Sequence, residues 1–137
     1  MPRQLLLALL VAALALGGCG GAADSDQEFE GVQRDVARTI EDLEEAGQED
    51  EPRRICQALL ARELVQNIED AGGSCEEAIQ KALDQTDTFA LTVEKVDVRG
   101  TTATVSVETG VDEEQLETVE LVKEGDAWKI SGLPGAG

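Results

Sequence analysis

The sequence predicts an α+β domain in which N-terminal helices pack on a curved four-stranded antiparallel sheet. Three observations carry that expectation. Apolar residues recur every three or four positions from Phe29 to Leu83; the period changes to two after Thr86, where Val and Thr accumulate; and glycines at 100 and 125 punctuate two pairs of alternating segments. Helices grouped before strands segregate into separate layers rather than interleaving as βαβ units.

Ahead of the domain lies the apolar run Leu5 to Leu16. A helix of that length rises ~18 Å, well short of the ~30 Å hydrocarbon core of a bilayer. Arg3 before it and Gly17 and Gly18 after it complete the three parts of an export signal. A buried core helix is the competing reading, and the lack of any polar residue to face water speaks against it.

The stretch Leu16-Gly17-Gly18-Cys19 resembles the lipobox of bacterial lipoproteins. The resemblance implies cleavage between Gly18 and Cys19, a diacylglyceryl group on Cys19, and an extracytoplasmic protein anchored to the cell membrane by lipid. Each buried methylene of an acyl chain contributes about 0.8 kcal/mol, so two or three chains hold almost permanently. The chain then divides into a signal peptide (1–18), the lipidated cysteine with a small, polar tether (19–27), one domain (28–133) and a tail (134–137).

The elements follow in order. Phe29, Val32, Val36, Ile40 and Leu43 form one apolar stripe of a first helix, which Gly47 is expected to end. Pro52 suits the first turn of the next helix, and Gly72-Gly73 stops the segment containing Ile68. Ser74 and Glu77 have capping-box spacing, which starts another helix at Cys75 that runs to about Gln85.

With Cys19 assigned to lipid, Cys56 and Cys75 remain, in a compartment that permits disulfides, and they are expected to pair. Both sit on apolar helical stripes, Cys56 with Leu59, Leu60, Leu64 and Ile68, and Cys75 with Ala78, Ile79, Ala82 and Leu83. A straight helix from Cys56 to Asp70 carries the chain ~21 Å away, and five further residues return at most ~18 Å. Bridged α-carbons must lie within ~7 Å, so a break between Leu60 and Glu63 is predicted.

Two hairpins come next. With Arg99-Gly100 as a two-residue loop, Val96 lies opposite Ala103, and one extra residue at Glu94 or Lys95 then sets Val93 opposite Val105 and Leu91 opposite Val107. With Glu124-Gly125 as the second loop, Leu121 faces Trp128 and Val119 faces Ile130. Gly110 to Gln115 is an acidic connection, and Ser131 to Gly137 a loose tail.

Composition narrows the chemistry. Without Arg3 the mature chain has ten Lys and Arg against 29 Asp and Glu, a net −19. That balance repels nucleic acid and anionic headgroups and leaves cations or basic partners. Seven acids fall between Glu41 and Glu51 with no base among them (Glu41, Asp42, Glu44, Glu45, Glu49, Asp50, Glu51), a solvated helix face and loop, with divalent-ion binding as the competing reading. No calcium-loop spacing is present. With no His anywhere, Ser-His and Cys-His nucleophile pairs and imidazole metal ligands are excluded. No catalytic residue, metal ligand or cofactor is assigned.

Helices first, then an antiparallel sheet with Gly100 to Val105 (Gly-Thr-Thr-Ala-Thr-Val) as its second strand and Trp128-Lys129-Ile130 in its last, is similar to nuclear transport factor two-like domains, and in particular to small exported bacterial lipoproteins of that fold. A cystatin-type grip is the rival, disfavoured because more than one helix precedes the strands. The resemblance implies a cone with a concave interior. Enzymes of that superfamily use an aspartate base with tyrosine or histidine partners, and this chain has neither Tyr nor His. The expected function is a non-catalytic module that binds an envelope protein or small ligand, with Trp128 as the candidate pocket residue, although a Trp facing Leu121 is also ordinary core. The alternatives are a carboxylate-dependent, isomerase-like cone enzyme and a structural module acting through its acidic surface.

Overall fold

The computed structural model describes residues 29–110 and 116–134. The signal peptide, Gly18, Cys19, the tether and most of the Gly110 to Gln115 connection lie outside the described residues. The order is α1 (Val32–Gln48), α2 (Pro52–Arg54) running into a π-helical segment (Ile55–Leu59), α3 (Arg62–Asp70), α4 (Cys75–Asp84), then β1 (Leu91–Arg99), β2 (Thr102–Thr109), β3 (Leu116–Glu124) and β4 (Ala127–Gly132). The strands form one antiparallel sheet in the order β1-β2-β3-β4. The domain is therefore α+β, helices over an open four-stranded meander.

One sheet face meets the helices. Val105, Val107, Val119, Leu121 and Ile130 come from it, Val36 and Ile40 from α1 and Ile55 from the π-helical segment, and all are almost fully excluded from water. Thr39 is the one buried polar side chain among the described residues. Its hydroxyl lies 3.3 Å from the Asp35 carbonyl and 3.4 Å from that of Trp128, so its single proton has an acceptor within the core. No described helix is long and apolar enough to cross a membrane.

The helical break occurs where the disulfide arithmetic requires it. Leu60 and Ala61 are extended, with ψ of 142° and 147°, and α3 begins at Arg62. Cys56 and Cys75 are bonded, with α-carbons 6.1 Å apart. The Ser74–Glu77 capping box is formed in both directions, and Pro52 occupies the first turn of α2.

Several details differ from the sequence expectation. Gly47 lies inside α1 rather than ending it; a Cβ there would meet the Phe89 ring at 2.3 Å, so the glycine exists for close approach. Asp50, at φ 57°, takes the left-handed position just beyond the helix. Phe29 precedes the helix, and Val32 is 47% exposed, so the buried stripe starts at Val36. Ala82 faces solvent.

Both hairpin registers are displaced by two residues. The loops are Gly100-Thr101 and Gly125-Asp126, which pair Val96 with Val105, Val98 with Ala103, Leu121 with Ile130 and Trp128 with Lys123. Gly100 and Gly125 have φ of 62° and 61°, whereas Thr101 and Asp126 do not take positive φ. Positive φ at the first loop residue alone is a type II′ turn, which puts glycine first, not second. The predicted extra residue at Glu94 or Lys95 is present as a register shift between Val93 and Lys95, with Val93 opposite Val107 and Leu91 opposite Thr109. A second shift lies between Glu120 and Leu121, and β4 continues through Ser131 and Gly132, which the sequence assigned to a tail.

Candidate functional site

The face of the sheet turned away from the helices is polar, because alternation sends the odd residues of β1 beyond its bulge and the even residues of β2 to water. Thr104 on β2 pairs directly with Asp97 on β1 and with Glu120 on β3. These side chains, with Arg99, Thr102 and Ser131, line an open groove of about 460 Å³ across all four strands. Asp97 Oδ2 lies 3.7 Å from Arg99 Nη2. Glu120 folds over Gly132, where a Cβ would sit 2.9 Å from its Oε2, so glycine in β4 makes room for that carboxylate. The groove offers hydrogen bonding and ion pairing from two carboxylates, one guanidinium and three hydroxyls.

The acidic run does not form a bare anionic surface. The turn after α1 brings Arg54 back among it, 2.8 Å from Glu45, 3.1 Å from Glu51, 3.7 Å from Glu49 and 3.9 Å from Asp42. Hydrogen bonds to Glu45, then Glu51, raise the Arg54 pKa above its ordinary value. Glu44 accepts the Leu91 backbone N–H, and Asp50 accepts from Gln80 Nε2 at 2.8 Å; the same amide reaches Asp84 at 3.0 Å. Among the described residues no group of three or more acids and cysteines is arranged to hold a metal ion.

Trp128 is 6% exposed and belongs to the apolar core, its carbonyl facing Thr39. It does not line the outer groove. Cys56 and Cys75 are brought together; Gly18 and Cys19 lie outside the described residues.

No protein-family model matches this chain, and no curated protein is significantly similar to it in sequence.

The sequence reading missed the groove, although strand parity carried a signal for it. Asp97, Thr104 and Glu120 occupy the polar half of alternating strands, but an error of two residues conceals the pairing of Asp97 with Thr104, and no loop signal sets the register that aligns Glu120 with Thr104. Arg54 was missed because it lies just outside the acidic run in sequence and enters it only through the Asp50 turn.

Proposed function

We propose that this chain is an exported lipoprotein, anchored through Cys19 to the outer surface of the cell membrane, whose domain is a non-catalytic binding module of the nuclear transport factor two-like type. The observation that carries the reading is the apolar run ending in Leu16-Gly17-Gly18-Cys19. A helices-on-sheet domain with an apolar interior and a paired Cys56–Cys75 accords with it. The groove through Asp97, Thr104 and Glu120 is the surface offered to a basic envelope protein or a polar ligand.

Mass spectrometry of membrane fractions tests the anchor: the N-terminal peptide should begin at Cys19 and carry acyl mass, and Cys19→Ser should move the chain to the soluble fraction. Recovery of intact Met1 with an unmodified thiol at Cys19 refutes it. For the binding half, capture of a basic envelope protein should weaken with salt and fall in the doubly substituted Asp97→Asn, Glu120→Gln chain at unchanged melting temperature. Equal capture by both chains removes the groove from the reading.

A further inference from the structure

We propose that the Cys56–Cys75 disulfide is a redox-sensitive clasp on the free side of β4: reduced by a dithiol, it releases α3 and α4 as a unit and uncovers that edge, while α1 and the sheet stay folded. The connection runs through the backbone. Cys56 lies in the π-helical segment, and within five residues the chain is extended along β4, where the Ala61 N–H donates to the Ile130 carbonyl at 2.7 Å and Leu60 bridges Ile130 in parallel. This short segment covers an edge that otherwise presents unpaired backbone groups to water.

The two ends of the structure are unequally held. Helix α1 gives the core Val36, Ala37, Ile40, Leu43 and Ala46, none more than 4% exposed. From α3 and α4 the buried set contains Leu64 and Ile79, each 9% exposed, and Cys75 itself. Segments with little buried apolar surface open at lower free energy than the rest of a domain. The bond joins this pair of helices, whose remaining apolar contacts are the partly buried Val65, Ile68 and Leu83, to the segment that seals β4. That segment is also held by the buried Leu59, Leu60 and Ala61; exchange at Ala61 therefore separates the clasp from that packing.

The chemistry balances with a dithiol as reductant. Both cysteines are buried, Cys56 at 8% and Cys75 at 4% exposure, so attack follows local opening of the helices; one thiolate of the dithiol then attacks Cys56 Sγ. A mixed disulfide forms at Cys56 as the Cys56–Cys75 bond breaks, and Cys75 leaves as a thiolate that takes a proton from water. The second thiol of the reductant, deprotonated, then attacks its own sulfur in the mixed disulfide and frees Cys56. Two electrons pass to the protein, and the dithiol departs as a cyclic disulfide.

Hydrogen exchange on the full chain, oxidised and after dithiothreitol, tests the proposal. Exchange at Ala61 and through residues 62–84 should accelerate roughly a hundredfold, the scale expected when a loop of this size is released. Protection at Val105 and Val119 in the sheet and at Ile40 in α1 should persist, and reoxidation should restore the starting pattern. The Cys56→Ser, Cys75→Ser chain should show the reduced pattern without reductant. Unchanged exchange at Ala61 overturns the proposal, because the edge is then held without the clasp. So does simultaneous loss of protection in every segment, which makes the bond a staple of the whole domain.

Discussion

At Gly47 two ordinary rules oppose each other. Alanine inside a helix is favoured over glycine by about 1 kcal/mol. Here, however, the added methyl would meet Phe89 Cδ1 at 2.3 Å, and relief requires the ring to leave its place against the core. Overpacking of this kind costs ~1–3 kcal/mol, so Gly47→Ala should be net destabilising by about 1 kcal/mol in chemical denaturation. Gly47→Ala combined with Phe89→Ala should recover part of the loss. Trp128 makes the opposite case: it is 6% exposed among the core side chains, and Trp128→Ala should cost ~3–5 kcal/mol, enough to unfold much of the population. If that variant melts normally, the indole is not part of the apolar core.

Between elements, the ends of the broken helix are satisfied by the second hairpin rather than locally. Ala61 has no side chain to cap α3, and the Arg62 N–H instead donates to Glu124 Oε2 at 2.9 Å. Lys129 Nζ donates to the Ala58 carbonyl, near the C-terminal end of the π-helical segment. Glu124→Ala should therefore lower stability by about 1 kcal/mol, the usual cost of losing a cap, while Glu124→Gln retains an acceptor and should lose less. Lys129→Met should cost a similar amount, and thermal melts of the three variants rank the contacts. Such cross-element caps were not legible in sequence, because they depend on which ends meet in space. The capping box at Ser74 was legible, since both partners lie within one turn. So was the break after Leu60, where chain length and a covalent bond left no other path. The hairpins were half legible: alternation identified the strands and their faces, but the register depends on whether glycine stands first or second in a two-residue loop. Gly100 and Gly125 stand first, and that displaced every cross-strand pair expected within the two hairpins, Asp97 with Thr104 included, whereas the pairing of Thr104 with Glu120 joins β2 to β3, for which alternation alone sets no register.

Charge acts on the whole molecule. A net charge of −18 repels itself in the compact state, whereas the four contacts around Arg54 attract. Salt screens both, so the sign of the salt response shows which is larger. The carboxylates around Arg54 are about half exposed, and exposed pairs of this kind contribute little to stability. Repulsion acts among all 29 acids, which 11 Lys and Arg only partly offset. The melting temperature should accordingly rise as sodium chloride is raised from low to physiological ionic strength, over the range where the Debye length shortens to about 8 Å. Arg54→Gln should melt lower than the parent at low salt, because Asp42, Glu45, Glu49 and Glu51 then face one another without a cation. It should also gain more from added salt, so that the two curves converge. A parent melting temperature that falls with salt would mean that attraction around Arg54 outweighs repulsion across the surface, and the acidic face would then be a structural network before it is a surface for basic partners.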